Sequence, residues 1–196
     1  MKMYRAVAKE GFNPNLIFGP QASRRIPSNI PYLVDNLWEW LRPGSAPSRR
    51  HAVYASPTPE LALVNASAVG SDASRYVVCE VDLRGPLPKL AHLDVKDARD
   101  HQDVGRLMRH VASAHGRDFG SLSLDEKLVF APLYLPGVTK FELAKYFERT
   151  PETKALSEEL RSMSTFWGDV SSAPQEHDGE LFFELLPGAS YQLKPL

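Results

Sequence analysis

The chain has 196 residues, of which 43% are hydrophobic and 24% are charged, and its formal net charge is −1. This length suits one domain with a full hydrophobic core and is short for two, so we expect a single domain over residues 1–196. A net charge so close to zero argues against a dedicated nucleic-acid surface, which ordinarily makes a domain strongly basic.

The cysteine content and the start of the chain bear on where the protein works. The single cysteine, Cys79, lies in an apolar run and is expected to be a small buried residue, as in proteins that fold in a reducing compartment. No charged leader with an apolar core follows Met1, and no apolar run is long enough to span a membrane. We therefore expect a soluble protein, either cytoplasmic or secreted or injected by a route that needs no signal peptide.

The first part of the chain is predicted to hold a strand, a long loop and a helix. Residues 2–8 are apolar enough for a first strand, and residues 9–30 are rich in Gly, Pro, Asn and Ser, which indicates a loop. A loop of that length in a compact domain is often functional. An apolar stripe then predicts a helix that ends near Leu41, before the Pro- and Gly-containing residues 43–47.

The middle of the chain is predicted to alternate between strand and helix. Residues 51–55 form a second strand, and Thr58 is expected to cap a helix that has Pro59 at its first position and runs through Ala68. Residues 75–83 alternate between polar and apolar side chains, which is typical of a half-buried strand.

The remaining elements are predicted to be mostly helical, with strands at the very end. These are a charged helix over residues 95–115, helices that begin near Ser123 and Thr150, a helical patch over residues 141–147, and strands over residues 180–186 and 191–193. Strands at both ends with helices concentrated between them indicate an α+β fold.

Glu184 is the most unusual residue of the predicted C-terminal strand, because its neighbours in sequence are apolar and an unpaired buried carboxylate is costly. Alternation along a strand places Glu180, Phe182 and Glu184 on one face. The strand is either an edge strand whose glutamates face solvent, a common protection against aggregation, or the carrier of a functional carboxylate.

Two pairs of adjacent arginines stand out in the predicted loops: Arg24 with Arg25, and Arg49 with Arg50. We interpret both pairs as solvated loop charge, with phosphate binding as the alternative. The histidines lack metal-ligand spacing and only one cysteine is present, so no metal site is predicted. The chain contains no phosphate-binding loop of the Walker or dinucleotide type and no nucleophile elbow.

Three short segments, residues 3–6, 52–62 and 180–188, occur in an order that resembles the ADP-ribosyltransferase superfamily, whose members cleave the nicotinamide–ribose bond of NAD. The first is similar to the Tyr-Arg opening of cholera-toxin-like enzymes, and the second to the tyrosine strand and following helix of diphtheria-toxin-like enzymes. The third is similar to the glutamate strand of clostridial-type transferases. The resemblance implies an ADP-ribosyltransferase-like split β-sheet core with helices between the N-terminal and C-terminal strands.

The resemblance also implies roles for four residues. Arg5 would hold the phosphates or ribose of NAD, Tyr54 would stack on the nicotinamide ring, Ser56 would orient the glutamate, and Glu184 would stabilise the developing cation. NAD is thus expected as the substrate, with no metal. The loop over residues 9–27 would cover the bound dinucleotide.

Departures from the family pattern bear on the acceptor. Phe182 stands where arginine-modifying members carry an acidic residue, and the Ser-Thr-Ser triplet around Ser56 is absent. The second segment also resembles the NAD-degrading RES-domain toxins, although Asn65 replaces the glutamate expected on their helix and only Arg49 and Arg50 stand where they have Gly-Arg-Trp.

We therefore expect a toxin or effector that transfers ADP-ribose to a protein or other macromolecule, and that is neutralised by an antitoxin or immunity partner. The alternatives are an NAD glycohydrolase of the RES type and a non-catalytic interaction protein on the same fold. We expect neither a membrane nor a nucleic acid as partner.

Overall fold

The computed structural model describes residues 2–21, 24–26, 29–67, 72–114 and 119–196. Seven strands and six α-helices lie within these residues: β1 (Tyr4–Ala8), β2 (Ile17–Phe18), α1 (Tyr32–Leu41), β3 (Val53–Ala55), α2 (Pro59–Ser67), β4 (Tyr76–Arg84), β5 (Lys89–His92), α3 (Gln102–Ala114), α4 (Leu124–Tyr134), α5 (Lys140–Phe147), α6 (Pro151–Met163), β6 (Leu181–Glu184) and β7 (Ser190–Pro195). The strands form two antiparallel sheets, so the predicted α+β class is confirmed.

The chain divides into two compact units. One contains Met1–Arg24, Gly44–Asp97 and Val170–Leu196, and holds both sheets and α2. The other contains Arg25–Pro43 and Ala98–Asp169, and is helical. The interpretation of residues 1–196 as a single ADP-ribosyltransferase-like domain stays a prediction.

A four-stranded sheet in the order β1-β4-β7-β2 forms one layer of the strand-containing unit. Its long inner strand, β4, pairs with β1 through its first five residues, Tyr76–Glu80, and with β7 through its last six, Cys79–Arg84. Its alternating side chains have one face buried, and α2 packs against β1 and β4. The predicted loop over residues 9–30 is interrupted by β2, whose Ile17 and Phe18 pair with β7.

A three-stranded sheet in the order β3-β6-β5 forms the second layer. β6 is its central strand, because Val53–Ala55 pairs on one side and Lys89–His92 on the other. The interpretation of β6 as an edge strand is therefore wrong: residues distant in sequence supply both of its neighbours.

The two sheets meet at an isolated bridge between Tyr4 and Ser56. The Tyr4 N–H donates to the Ser56 carbonyl and the Ser56 N–H to the Tyr4 carbonyl, both at 2.8 Å. A cluster of buried side chains draws members from both sheets, including Val81 and Tyr191 from the larger and Phe183 from the smaller. The split sheet thus shares one hydrophobic core.

In the helical unit, α1 packs against α3, α4 and α5, and Leu33 and Leu37 are buried on it. The carboxylate of Asp103, 0% exposed, accepts hydrogen bonds from Trp38 Nε1 at 3.3 Å, Ser164 Oγ at 2.8 Å and the Phe166 N–H at 3.1 Å. Asp103 therefore joins the start of α3 to α1 and to the segment after α6.

The helix starts predicted at Thr58, Ser123 and Thr150 are confirmed, and at the first of them the Leu61 N–H donates to the Thr58 hydroxyl at 3.3 Å. Ser123 forms a capping box at the start of α4, and Thr150 forms one at the start of α6, with Pro151 in its first turn. The helix predicted over residues 95–115 instead begins at Gln102, after a 3-10 turn at Ala98–Asp100. The predicted helix ends at Ala68 and His115, and the predicted loop end at Pro27, lie outside the described residues. No helix in the described part of the chain is long and apolar enough to cross a membrane.

Candidate functional site

Glu184 ends the central strand of the smaller sheet and is half-buried. Its Oε2 accepts a hydrogen bond from the backbone N–H of Ser48 at 2.8 Å. Lys89 stands directly opposite on β5, and opposite residues of an antiparallel pair point to the same face. The carboxylate is therefore held from one side by a backbone donor and lies on the same face as a lysine.

Tyr54 lies on β3 and faces Phe182 across the ladder, with their ring centroids 5.7 Å apart. Because residues two apart on a strand share a face, Tyr54, Phe182 and Glu184 lie on the same side of the sheet. The opposite side carries Val53 and Phe183, which belong to the shared core. The structure thus brings Tyr54 and Glu184 together on the face turned away from that core.

Arg49 is a neighbour of this face that the sequence did not predict. It is 3% exposed, and its Nη1 donates to Glu180 Oε1 at 3.1 Å. Its guanidinium carbon lies 5.4 Å from the Phe182 ring centroid and 5.8 Å from that of Tyr54, within cation–π range. Arg49 therefore contacts an acidic residue and two aromatic rings of the site.

The interpretation of Arg49 and Arg50 as solvated loop charge is wrong, since the two residues are 3% and 2% exposed. Arg24 and Arg25 are exposed, as expected. Arg49 lies shortly before β3, and its guanidinium donates to Glu180, the residue that immediately precedes the neighbouring strand β6. The position of Arg49 before a strand was the only sequence signal for its burial. Its partner, Glu180, lies 131 positions away in sequence.

Ser56 follows β3 and is 4% exposed. Its Oγ accepts a hydrogen bond from Asn65 Nδ2 on α2 at 3.0 Å. Continuing the β3–β6 register past Ala55 puts Ser56 level with Glu180 rather than with Glu184. The structure therefore places Ser56 at the joint between the sheets, where Asn65 donates to its hydroxyl.

Arg5 lies on β1 opposite Cys79, whose side chain is in the core. Its Nη1 donates to the phenol oxygen of Tyr191 on β7 at 2.9 Å. Within the described part of the chain, no hydrogen bond or ion pair joins Arg5 to Tyr54, Ser56 or Glu184. Arg5 is therefore on the core side of the larger sheet, and Glu184 is on the outer face of the smaller one.

The surroundings of Arg5 are aromatic and partly charged. Phe18 stacks on Tyr191, with their centroids 4.8 Å apart and an interplanar angle of 14°. Burial raises the pKa of the Tyr191 phenol, and the nearby Arg5 charge only partly opposes this. Since Phe18 belongs to β2, the long loop is anchored to the larger sheet beside the Arg5 side chain.

Among the described residues, no group of three or more His, Cys, Asp or Glu side chains is placed to hold a metal ion. Comparisons of this chain with protein-family models, with curated proteins and with solved structures gave no match.

Proposed function

We propose that this protein has an ADP-ribosyltransferase-like fold and cleaves the nicotinamide–ribose bond of NAD, passing ADP-ribose to an acceptor. The observation that carries the proposal is the position of Glu184. It is a half-buried carboxylate at the end of a central strand, fixed by the Ser48 N–H, on the same face as Tyr54.

The architecture supports the same proposal. Read across the Tyr4–Ser56 bridge, the strands run in the order β5-β6-β3 and then β1-β4-β7-β2, as a split sheet with strands from both ends of the chain. This is the kind of core that the family resemblance implies.

The chemistry requires a fixed negative charge near the ribose. When the bond between ribose C1′ and the nicotinamide nitrogen breaks, its electron pair leaves with nicotinamide, and the ribose acquires oxocarbenium character. A preorganised carboxylate stabilises that charge without reorganising. Since Glu184 Oε2 already accepts from Ser48, Oε1 is the oxygen we assign to a ribose hydroxyl. The acceptor atom then bonds to C1′ and its proton passes to solvent.

Two further residues would bind the substrate. We assign Tyr54 to the nicotinamide ring, because its own ring lies on the Glu184 face and is only half-buried. We keep Arg5 as the proposed ligand of the NAD phosphates on its chemistry alone, since a planar guanidinium donates well to phosphate oxygens. Its side chain lies on the core side of the larger sheet, whereas Glu184 lies on the outer face of the smaller one. Ser56 is proposed to support the site through the bridge between the sheets, a change from the glutamate-orienting role that the resemblance implies.

Hydrolysis of NAD is the second candidate, and the environment of Phe182 favours it. Phe182 is 0% exposed and its ring is covered by Arg49, so this position offers no carboxylate to an arginine acceptor. Glu180, the nearest acidic alternative, is paired with Arg49. We therefore expect either a non-arginine acceptor or water. By analogy with small NAD-consuming enzymes, the protein would act as a toxin or effector with a neutralising partner.

Incubation of the purified protein with NAD, with and without a cell lysate, tests the proposal. Released nicotinamide together with a labelled macromolecule supports transfer, and released nicotinamide with free ADP-ribose supports hydrolysis. If neither product forms under either condition, the enzymatic proposal fails and the non-catalytic interaction protein replaces it. Mass spectrometry of a labelled target that located ADP-ribose on arginine would contradict the interpretation of Phe182.

A further inference from the structure

Two consecutive residues before β3 hold both glutamates of the β6 segment. The Ser48 N–H donates to Glu184 Oε2 at 2.8 Å, and Arg49 Nη1 donates to Glu180 Oε1 at 3.1 Å. We call Ser48 and Arg49 the brace. Glu184 ends β6 and Glu180 immediately precedes it, so the brace fixes the segment at both of its ends.

Arg49 is enclosed, which limits what it can do. Its side chain is 2% exposed and that of Glu180 is 11% exposed. Its guanidinium also lies near the rings of Tyr54 and Phe182. An arginine this covered has little surface for a substrate. It nevertheless lies near Tyr54, which we assign to nicotinamide, and it follows Ser48, whose N–H donates to Glu184.

A buried ion pair is a poor source of stability, because the desolvation of two charges offsets most of their attraction. A guanidinium is nevertheless a rigid planar donor, and here a carboxylate and two rings contact it from different elements. We therefore expect the Arg49–Glu180 pair to fix the positions of its neighbours rather than to add much to the free energy of unfolding. Since the backbone of Ser48 is continuous with that of Arg49, fixing Arg49 fixes the donor to Glu184.

We propose that Arg49 is a positioning residue for Glu184 and Tyr54, acting through its ion pair with Glu180 and through the backbone of Ser48. This inference rests on the proposed cleavage of NAD. Arg49 itself does not contact NAD. Loss of the pair displaces the carboxylate and the ring, and a misplacement of about 1 Å can lower a rate by about 10²-fold.

The test compares Arg49→Gln, Arg49→Lys, Glu180→Gln and the double variant Arg49→Gln/Glu180→Gln in steady-state release of nicotinamide from NAD. We expect Arg49→Gln to lower kcat by about 10- to 100-fold and to change KM by less than about two-fold. Arg49→Lys should recover part of the loss, because it keeps the charge without the fork. The double variant should be no slower than Arg49→Gln alone, since both substitutions break one pair.

The matched control is Arg42→Gln, which breaks the Arg42–Glu39 pair (2.9 Å) in the helical unit and should leave kcat and KM unchanged. Thermal melting of every variant determines the folded fraction. If Arg49→Gln does not fold, Arg49→Lys and Glu180→Gln decide by the same comparison of kcat with KM.

Four results overturn the inference. A raised KM with unchanged kcat, together with a normal Glu180→Gln protein, would make Arg49 a direct NAD ligand. A lower melting temperature with unchanged kcat and KM would make the pair purely structural. A wild-type protein that releases no nicotinamide would contradict both the proposed function and this inference. An active wild-type protein with variants of unchanged kcat and KM would contradict the inference alone.

Discussion

The two sheets of the strand-containing unit each hold an arginine, and they hold it differently. In the larger sheet, Arg5 is half-buried and donates to the neutral phenol of Tyr191. Beside the smaller sheet, Arg49 is almost fully covered and donates to the carboxylate of Glu180. The charge of Arg49 is thus matched by an opposite charge within the protein, whereas that of Arg5 faces a neutral partner.

The difference suggests a division of roles between the sheets. An arginine beside a phenol keeps its net charge and can attract an anion such as a phosphate, while one paired with a carboxylate orients its neighbours. We therefore assign the NAD phosphates to the larger sheet, and nicotinamide contact and bond cleavage to the smaller sheet. Substitutions in the first should change affinity, and substitutions in the second should change rate.

The largest expected effect is that of Glu184→Gln on the rate of NAD cleavage. The amide keeps the shape of the side chain and an acceptor for the Ser48 N–H, but it lacks the charge that stabilises the developing cation. A preorganised group of this kind contributes about 3–4 kcal/mol, so kcat should fall by about 10²–10³-fold. Nicotinamide release and thermal melting of the same preparation measure rate and folding.

The matched control for this substitution is Glu80→Gln, which changes a glutamate of similar partial burial on β4 of the larger sheet. It should leave kcat within about two-fold of the wild-type value, because β4 is assigned no part in bond cleavage. Equal losses in both variants, or an unchanged rate for Glu184→Gln, would remove Glu184 from the mechanism.

Arg5→Lys should have a smaller effect, and on binding rather than on rate. Lysine keeps the charge but loses the planar fork of donors, so we expect the Kd for NAD to rise by about ten-fold, or about 1.4 kcal/mol. Calorimetry with NAD measures the affinity, and Arg84→Lys on β4, where the arginine pairs with Asp82, is the control. Equal NAD affinity of the wild-type and Arg5→Lys proteins would make Arg5 a structural strand residue.

The smaller sheet should also make the fold sensitive to acid through His92 on β5. Burial, with the stacked His177 as a second cause, holds the pKa of His92 below its ordinary value of 6.5. The folded protein therefore binds a proton at His92 less readily than the unfolded chain, which takes one up as the pH falls through 6.5. The free energy of unfolding should therefore fall as the pH is lowered through 6.5. Above pH 6.5, protonation of His92 should not change the free energy of unfolding.

Urea unfolding between pH 5 and 8 measures this effect. His92 Nε2 lies 3.1 Å from the Gly179 carbonyl, and Nδ1 accepts from the Gln175 N–H at 2.8 Å, so the neutral ring fits both partners. His92→Gln should be less stable throughout and show a shallower decline below pH 6.5. His110→Gln, in the helical unit, is the control that keeps His92 and its contacts. An identical pH slope in wild type and His92→Gln would contradict the assignment.

Local sequence signals predicted every α-helix of the described residues, apart from the exact bounds of α3 and α4, and they missed two short strands, β2 and β5. Ser123 and Thr150 mark helix starts through hydrogen bonds to residues three positions away, so the information is local. Strands β2 and β5 have two and four residues and show no clear alternation. They form because β7 and β6 offer partners from the far end of the chain, which no local pattern encodes.

The candidate site shows the same contrast. Alternation along residues 180–184 placed Glu184 and Phe182 on one face, as the structure has them. The burial of Arg49 was not predictable in this way, because it depends on Glu180 and on rings from two strands. Its sequence neighbours are polar or small, so an exposed loop was the natural interpretation.

The smallest expected effect is that of Tyr191→Phe, which removes the acceptor of the Arg5 hydrogen bond and keeps the ring that stacks on Phe18. If the phenol only orients Arg5, the guanidinium keeps its charge and fork but samples more positions. At the lower end of its usual range, one such hydrogen bond contributes about 0.5–1 kcal/mol net, so the Kd for NAD should rise by about two- to five-fold with kcat unchanged.

Calorimetry with NAD measures that shift, and Tyr32→Phe, an exposed tyrosine of the helical unit, should leave the Kd unchanged. The double variant Arg5→Lys/Tyr191→Phe should bind no more weakly than Arg5→Lys alone, because the phenol acts on NAD only through the arginine fork. An additive loss would mean that Tyr191 contacts the ligand itself. A lower kcat would mean that the larger sheet also takes part in bond cleavage, and the division of roles between the two sheets would then be wrong.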